Sequence, residues 1–308
     1  MEIDPNYHGA IGQRGFVYQL KQEYEQAIQD FDKGIEINPD YVWAYVQRGY
    51  TMQLKQEYEQ AIQDYSKAVE IDPEYKWGYA HRGLLYQHQK KYDNAIEDYN
   101  RAIEIDSENH SFVGQRGLIY QNKENYDLAI QDYDKAIQMN PDYDWAMVQK
   151  GITYRLMEKY REALINFDKA IEINSNSDWN FAQRGIINRM IENYPQAITD
   201  FTRAIELKSN NDWNFVQRGI TYRLMEKFNE ALKDMQSAFE LSPANDWNFM
   251  QRGITFREMK QYDEVFKDFD KAIELDPKSA WNFAQRGDTF VLINKYKKAL
   301  LDFDKAIE

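Results

Sequence analysis

The sequence predicts an all-α solenoid of stacked antiparallel helical hairpins. Three observations carry that expectation. A glycine recurs every 34 residues, at Gly15, Gly49, Gly83, Gly117, Gly151, Gly185, Gly219, Gly253 and Gly287, with no insertion between them. Small and aromatic residues keep fixed offsets from each glycine, and the apolar residues inside each period are spaced for two short helices. A period this strict marks one unit stacked on copies of itself, because a lone pair of short helices gains most of its stability from packing on neighbours.

With the glycine counted as position 8, the chain 1–308 reads as a single array. Its repeats are 8–41, 42–75, 76–109, 110–143, 144–177, 178–211, 212–245, 246–279 and a truncated 280–308, with 1–7 the tail of a preceding repeat. The opening MEIDPNY copies the internal tail IEINPDY, so the sequence reads as cut from a longer array. Its last helix is expected to present Ala299, Leu300, Phe303 and Ala306 without a neighbour.

The first helix of a unit is clearest between Trp179 and Met190, where Phe181, Ile186 and Ile187 form a stripe around Gly185. The glycine lets a second helix approach closely. That second helix starts near Tyr194, with Pro195 in the first turn, where a missing N–H costs nothing. Ile198, Phe201, Ala204 and Ile205 then give one buried face. Across the repeats, position 20 is alanine except at Val265, position 27 is alanine except at Gly34, and position 24 is an aromatic or Met235. Proline closes five units at position 32, at Pro39, Pro73, Pro141, Pro243 and Pro277.

This pattern of small, aromatic, small and proline residues on a 34-residue period resembles the tetratricopeptide repeat, over essentially the whole chain. The resemblance implies a right-handed superhelix whose first helices line a concave groove for extended peptides, with positions 2, 5, 9 and 12 facing it. Two departures stand out. A cation replaces the leucine before the glycine, from Arg14 to Arg286, and the tryptophan sits at position 2 while Tyr45, Tyr79, Phe181, Phe215, Phe249 or Phe283 takes position 4.

Composition narrows the function. With 51 acidic against 38 basic residues the net charge is -13, which disfavours nucleic acid and anionic membrane as partners. Absence of cysteine rules out disulfides and thiolate chemistry, and the acidic start is no signal peptide, so a cytoplasmic protein is the expectation. No enzyme constellation, cofactor or metal site is expected. The histidines are His8, His81, His88 and His110, and His81 with His88 read as solvent-facing substitutions, with no carboxylate at metal-ligand spacing between them. The paired carboxylates recur in every repeat, and a unique active site does not come in nine copies.

Three ladders remain. Tryptophan at position 2 (Trp43, Trp77, Trp145, Trp179, Trp213, Trp247, Trp281) either lines the groove or seals the junction with the preceding hairpin. Position 12 changes from Gln19, Gln53, Gln87 and Gln121 to Arg155, Arg189, Arg223 and Arg257. These arginines either face an acidic partner or pair locally with Glu158, Glu192 and Glu226. The position-7 cation, matched by an acid at position 23 such as Asp200, reads as a structural ion pair holding one hairpin to the next or to itself, with Arg184→Leu near neutral or stabilising and loss of Asp200 destabilising. The candidate peptide-binding residues are Trp145, Trp179, Trp213, Trp247, Trp281, the four arginines, and Ile152, Ile186, Ile220 and Ile254 at position 9. The leading expectation is a non-enzymatic scaffold for an extended, acidic protein or peptide segment. Self-association through the end faces, or service as the regulatory part of a larger enzyme, are the alternatives.

Overall fold

The computed structural model describes residues 7–308, so of the tail read at 1–7 only Tyr7 lies within it. Among the described residues there are eighteen α-helices and no strand. In hairpin order they are α1 (His8–Leu20) with α2 (Tyr24–Ile37), α3 (Val42–Leu54) with α4 (Tyr58–Ile71), α5 (Lys76–His88) with α6 (Tyr92–Ile105), and α7 (His110–Asn122) with α8 (Tyr126–Met139). There follow α9 (Asp144–Leu156) with α10 (Tyr160–Ile173), α11 (Asp178–Met190) with α12 (Tyr194–Leu207), and α13 (Asp212–Leu224) with α14 (Phe228–Leu241). The last are α15 (Asp246–Glu258) with α16 (Tyr262–Leu275), and α17 (Ala280–Leu292) with α18 (Tyr296–Ile307). Each odd-numbered helix begins on the first residue of a repeat as read from the sequence.

The chain folds as an all-α helical-repeat solenoid in two compact units, one up to Thr153 and one from Tyr154. The sequence period runs through that boundary unbroken, inside α9. In the first unit second helices pack on the first helix of the next hairpin, α2 on α3, α4 on α5 and α6 on α7. The second unit repeats the scheme with α10 on α11, α12 on α13, α14 on α15 and α16 on α17, and α11, α13 and α15 also touch in sequence.

Local chemistry fixes both turns. Inside a hairpin the chain reverses through a single left-handed residue at position 15, such as Gln22, Lys90, Glu158 or Glu192 with φ between 59° and 63°. Around it the N–H groups of Lys21, Gln22 and Glu23 return to Val17, Gln19 and Tyr18, which serves the last carbonyls of α1. Between hairpins the Asn or Asp at position 31 accepts from the N–H two residues on, at 3.1 Å for Asn38 to Asp40 and 3.0 Å for Asp72 to Glu74. That turn leaves the intervening proline, Pro39 or Pro73, with no N–H to satisfy.

The core is the predicted one. Position 20 and position 24 are sealed, with Ala27, Phe31, Ala61 and Tyr65 in one unit and Ala197, Phe201, Val265 and Phe269 in the other at 0% exposure. The close approach at glycine is real: a Cβ on Gly253 would lie 2.4 Å from the Phe269 ring, and one on Gly185 3.1 Å from Phe201. At the end of the second unit Leu300 is 63% exposed, whereas Ala299, expected to be open, is 2% exposed because it faces its own hairpin partner.

Candidate functional site

The position-7 cation organises the junctions. Each arginine donates Nε and Nη2 to the position-23 aspartate of its own hairpin, as in Arg82 to Asp98 at 2.9 and 2.7 Å and Arg252 to Asp268 at 2.9 and 2.7 Å. Its remaining Nη1 reaches position 25 of the hairpin before it, Arg82 to Ser66 at 3.0 Å, Arg184 to Asp168 at 2.7 Å and Arg218 to Thr202 at 3.0 Å. Lysine lacks this planar set of donors, and Lys150 reaches position 25 of the hairpin before it through its single ammonium, at Asp134. The aromatic at position 4 lies beside the same guanidinium, at 5.7 Å for Tyr79 with Arg82 and 5.6 Å for Phe181 with Arg184. Both departures from the family pattern thus belong to one clamp.

Within the clamp the two charges are unequally desolvated. Bonding to Asp98 holds Arg82 above its ordinary value, whereas burial pushes the Asp98 carboxyl up and outweighs Arg82. The side chains are 18% and 5% exposed, so the carboxylate is the member that depends on its partner.

The tryptophan ladder divides. Trp43 packs into the preceding hairpin, 6.0 Å from Phe31 and against Gly12, where an added Cβ would meet its ring at 3.0 Å. Trp145 does the same over Gly114, with Tyr133 at 6.3 Å. Trp213 lies against Trp179 with the rings tilted and their centroids 6.0 Å apart, and it is half-buried, as is Trp247. Trp77, Trp179 and Trp281 are 45%, 47% and 40% exposed. Before Trp77 and Trp281 stand Val46 and Met250, larger residues at position 5 than the glycines under Trp43 and Trp145.

Position 12 lies in the junction between consecutive hairpins. Gln19 donates to the Gln47 carbonyl at 3.1 Å and to Thr51 Oγ1 at 2.8 Å, and Gln121 accepts from Tyr133 Oη at 2.8 Å and Thr153 Oγ1 at 3.1 Å. Arg189 donates to the Gln217 carbonyl at 3.1 Å, Arg223 to Gln251 Oε1 at 3.3 Å and Arg257 to Gln285 Oε1 at 3.1 Å. Among the described residues no ion pair joins these arginines to Glu158, Glu192 or Glu226, the left-handed turn residues. Among the described residues the one ion pair these arginines make is between Arg223 and Glu258, at 3.4 Å. Nε of Arg155 and of Arg223 is buried without a hydrogen-bond partner. Burial, with the charge of Arg223 adding to it, pushes Arg189 down to about 10. Arg189 and Arg223 are thus desolvated cations one hairpin apart.

Position 5, expected to face the groove, is instead sealed, at Val46, Val148, Ala182, Val216 and Met250. The exposed apolar residue is position 13, which the sequence reading missed: Leu54, Leu156, Met190 and Leu224 are 41%, 44%, 44% and 48% exposed. It lies four residues after position 9, on the same helical face. There Ile152, Ile186 and Ile220 are partly exposed and Ile254 is buried. His81 is not solvent-facing. It stacks on Tyr65 at 5.3 Å, and burial lowers its pKa. In the first unit the positions 9 and 13 of α3 and α5 border a cavity of about 540 Å³, lined by Tyr50, Leu54, Tyr58, Leu84, Gln87 and His88 among others.

Among the described residues no helix is long and apolar enough to cross a membrane and no cluster of three metal-ligating side chains occurs. Family models described as tetratricopeptide repeat match residues 10–41, 77–109, 114–143, 31–63, 146–177 and 249–279, and one described as TPR repeat matches 54–90. No curated protein matches the chain. The structure is similar to a tetratricopeptide repeat protein from Parabacteroides merdae, 19% identical, TM-score 0.64, covering 84% of this chain and 98% of that one. It is also similar to Pseudomonas aeruginosa pilF, 20% identical, TM-score 0.57, covering 71% and 96%. Cut9 with Hcn1 of the APC/C gives 13% identity, TM-score 0.62, covering 97% and 57%.

Proposed function

The chain belongs to the tetratricopeptide-repeat family, and from that premise we propose that it is a non-enzymatic scaffold holding an extended, acidic segment of a partner protein against its first helices. One observation carries the reading. In the second unit Trp179, Leu156, Met190 and Leu224 stand exposed at positions 2 and 13, one hairpin after another, beside guanidiniums that have one carboxylate, Glu258, among them. Partner side chains supply apolar area to the former, and partner carboxylates supply the missing charge to Arg155, Arg189, Arg223 and Arg257. Each such charge-assisted bond in a partly dry site is worth about 1.5–3 kcal/mol. Packed helices stand about 8–10 Å apart and an extended chain advances about 3.3 Å per residue, so one partner residue in three meets each hairpin. Trp213, Trp247 and Trp281 with the partly exposed Ile186 and Ile220 complete the contact surface of this unit. The test is titration of acidic, extended peptides followed by tryptophan fluorescence. Unchanged emission, or undiminished affinity of the Arg189→Glu and Arg223→Glu double variant, sinks the reading.

A second reading, self-association, is favoured by the junction bond. All eight junctions carry a bond from position 7 to position 25 of the hairpin before. Arg14 on α1 uses Nε and Nη2 for Asp30, and among the described residues its Nη1 has no partner. On α18, Asp304 stands exposed at position 25. Val17 and Val291, 53% and 41% exposed, occupy the positions that are polar in the Gln19–Thr51 pair. A second copy of the chain offers each face its complement. Light scattering should give a mass that rises with concentration, falls on Asp304→Arg and returns when Arg14→Asp is added. A monomer mass at every concentration excludes it.

A further inference from the structure

The cavity in the first unit is lined by three successive first helices, α3, α5 and α7, and its chemistry is specific. Its walls are Leu54, Leu84 and Leu85 with the rings of Tyr50, Tyr58 and His88, the last two 4.7 Å apart. At about 540 Å³ it falls within the range of ligand cavities, about 300–1,000 Å³.

The junctions explain why it opens here. Where position 10 is threonine, the preceding position-12 glutamine is engaged, as Gln19 is with Thr51 and Gln121 with Thr153. At the two junctions bordering the cavity position 10 is Leu85 and Ile119, which offer no hydroxyl. Gln53 Oε1 still accepts from Tyr65 Oη at 3.1 Å. Gln87 is the exception: its Oε1 is buried and has no donor, and no bond from Tyr99 replaces the one that Gln53 and Gln121 receive from their tyrosines. A buried acceptor left open is costly in an apolar setting, and it calls for an N–H or O–H from outside.

We propose that this cavity receives an indole side chain of the partner segment, its ring against Leu54, Leu84 and Tyr58 and its N–H donated to Gln87 Oε1. The proposal rests on the scaffold reading and places an aromatic anchor in the first unit, away from the arginine row. Buried aromatic anchors in pockets of this kind commonly dominate binding.

The experiment uses N-acetyl-tryptophanamide as probe against the full chain, read by amide and methyl NMR shifts, with its N1-methyl analogue as control. Saturable shifts confined to α3, α5 and α7, with the methylated analogue at least tenfold weaker, are expected. Gln87→Leu replaces an unpaired amide by an apolar group of similar size, so it keeps the fold and should abolish the difference between the two probes. Leu84→Asp should abolish binding of both, with circular dichroism unchanged. Equal affinity for both probes in the wild type, or shifts elsewhere, overturns the assignment. The probe needs no groove-length partner, so its binding at this cavity stands even if acidic peptides fail to bind the second unit, and the converse result removes the anchor alone.

Discussion

The two units build the same junction from different materials. In the first, every position-12 glutamine but Gln87 meets a threonine, or a tyrosine hydroxyl from position 24 of its own hairpin, as in Gln19 with Thr51 and Tyr133 with Gln121. In the second, position 12 is arginine and position 24 has lost its hydroxyl, so that Phe201 lies 5.7 Å from the Arg189 guanidinium. The entry to the first helix changes as well. The second unit buries Asn214, Asn248 and Asn282 at position 3, and the last two donate to Asp212 and Asp246 of the preceding hairpin at 3.0 and 2.9 Å. The first unit has Ala44, Gly78 and Phe112 there. The lesson is that Gln19, Gln53 and Gln121 find their hydrogen bonds at this position without a desolvated charge, so the arginines are unexplained by stability. Residues that cost stability mark sites selected for something else.

The largest expected effect tests what the units share. The sequence suggested that Arg184→Leu is near neutral, but the aspartate is the buried member, so removing the cation strands it. Arg82→Leu should cost about 3–5 kcal/mol by denaturant titration. Arg184→Leu should cost less, because Asn188 at 2.9 Å and Gln196 at 3.2 Å still donate to Asp200. Equal losses would show that those amides do nothing. Sign follows from the raised Asp98: the native state binds its proton more readily than the unfolded chain, so its protonated form favours folding and this stability falls as pH rises through the native value. The Arg82→Leu deficit should therefore shrink in acid.

Next in size is Gly253→Ala. Phe269 at 0% exposure cannot move aside from a Cβ at 2.4 Å, so about 1–3 kcal/mol should be lost. Arg189→Gln, which grafts the first unit's solution into the second opposite Thr221, should raise stability by about 1 kcal/mol while weakening acidic peptides. A destabilised Arg189→Gln would erase the contrast between the units. The smallest change is Gly34→Ala in the first unit. Its nearest neighbours stand at 3.7 Å, so the substitution should gain about 0.5–1 kcal/mol in a thermal melt.

Periodicity alone gave the repeat, both helices and the buried faces, because the requirements of helix packing recur with the chain and leave a mark at every 34th residue. Gly253 beside Phe269 and the alanines at position 20 were legible for that reason. Position 13 was not legible, since a leucine such as Leu224 looks like core until its neighbours are known. The sequence by itself thus determined the unit, its register and the existence of the three ladders. The position-7 ladder was legible as an ion pair, but only the tertiary structure decided that its third donor crosses to the hairpin before, that position 12 lies in a seam and which tryptophans meet solvent. The direction of a side chain between two hairpins depends on a partner 16 to 36 residues away, as Arg184 on Asp168 and Asn282 on Asp246, and no local pattern encodes that contact.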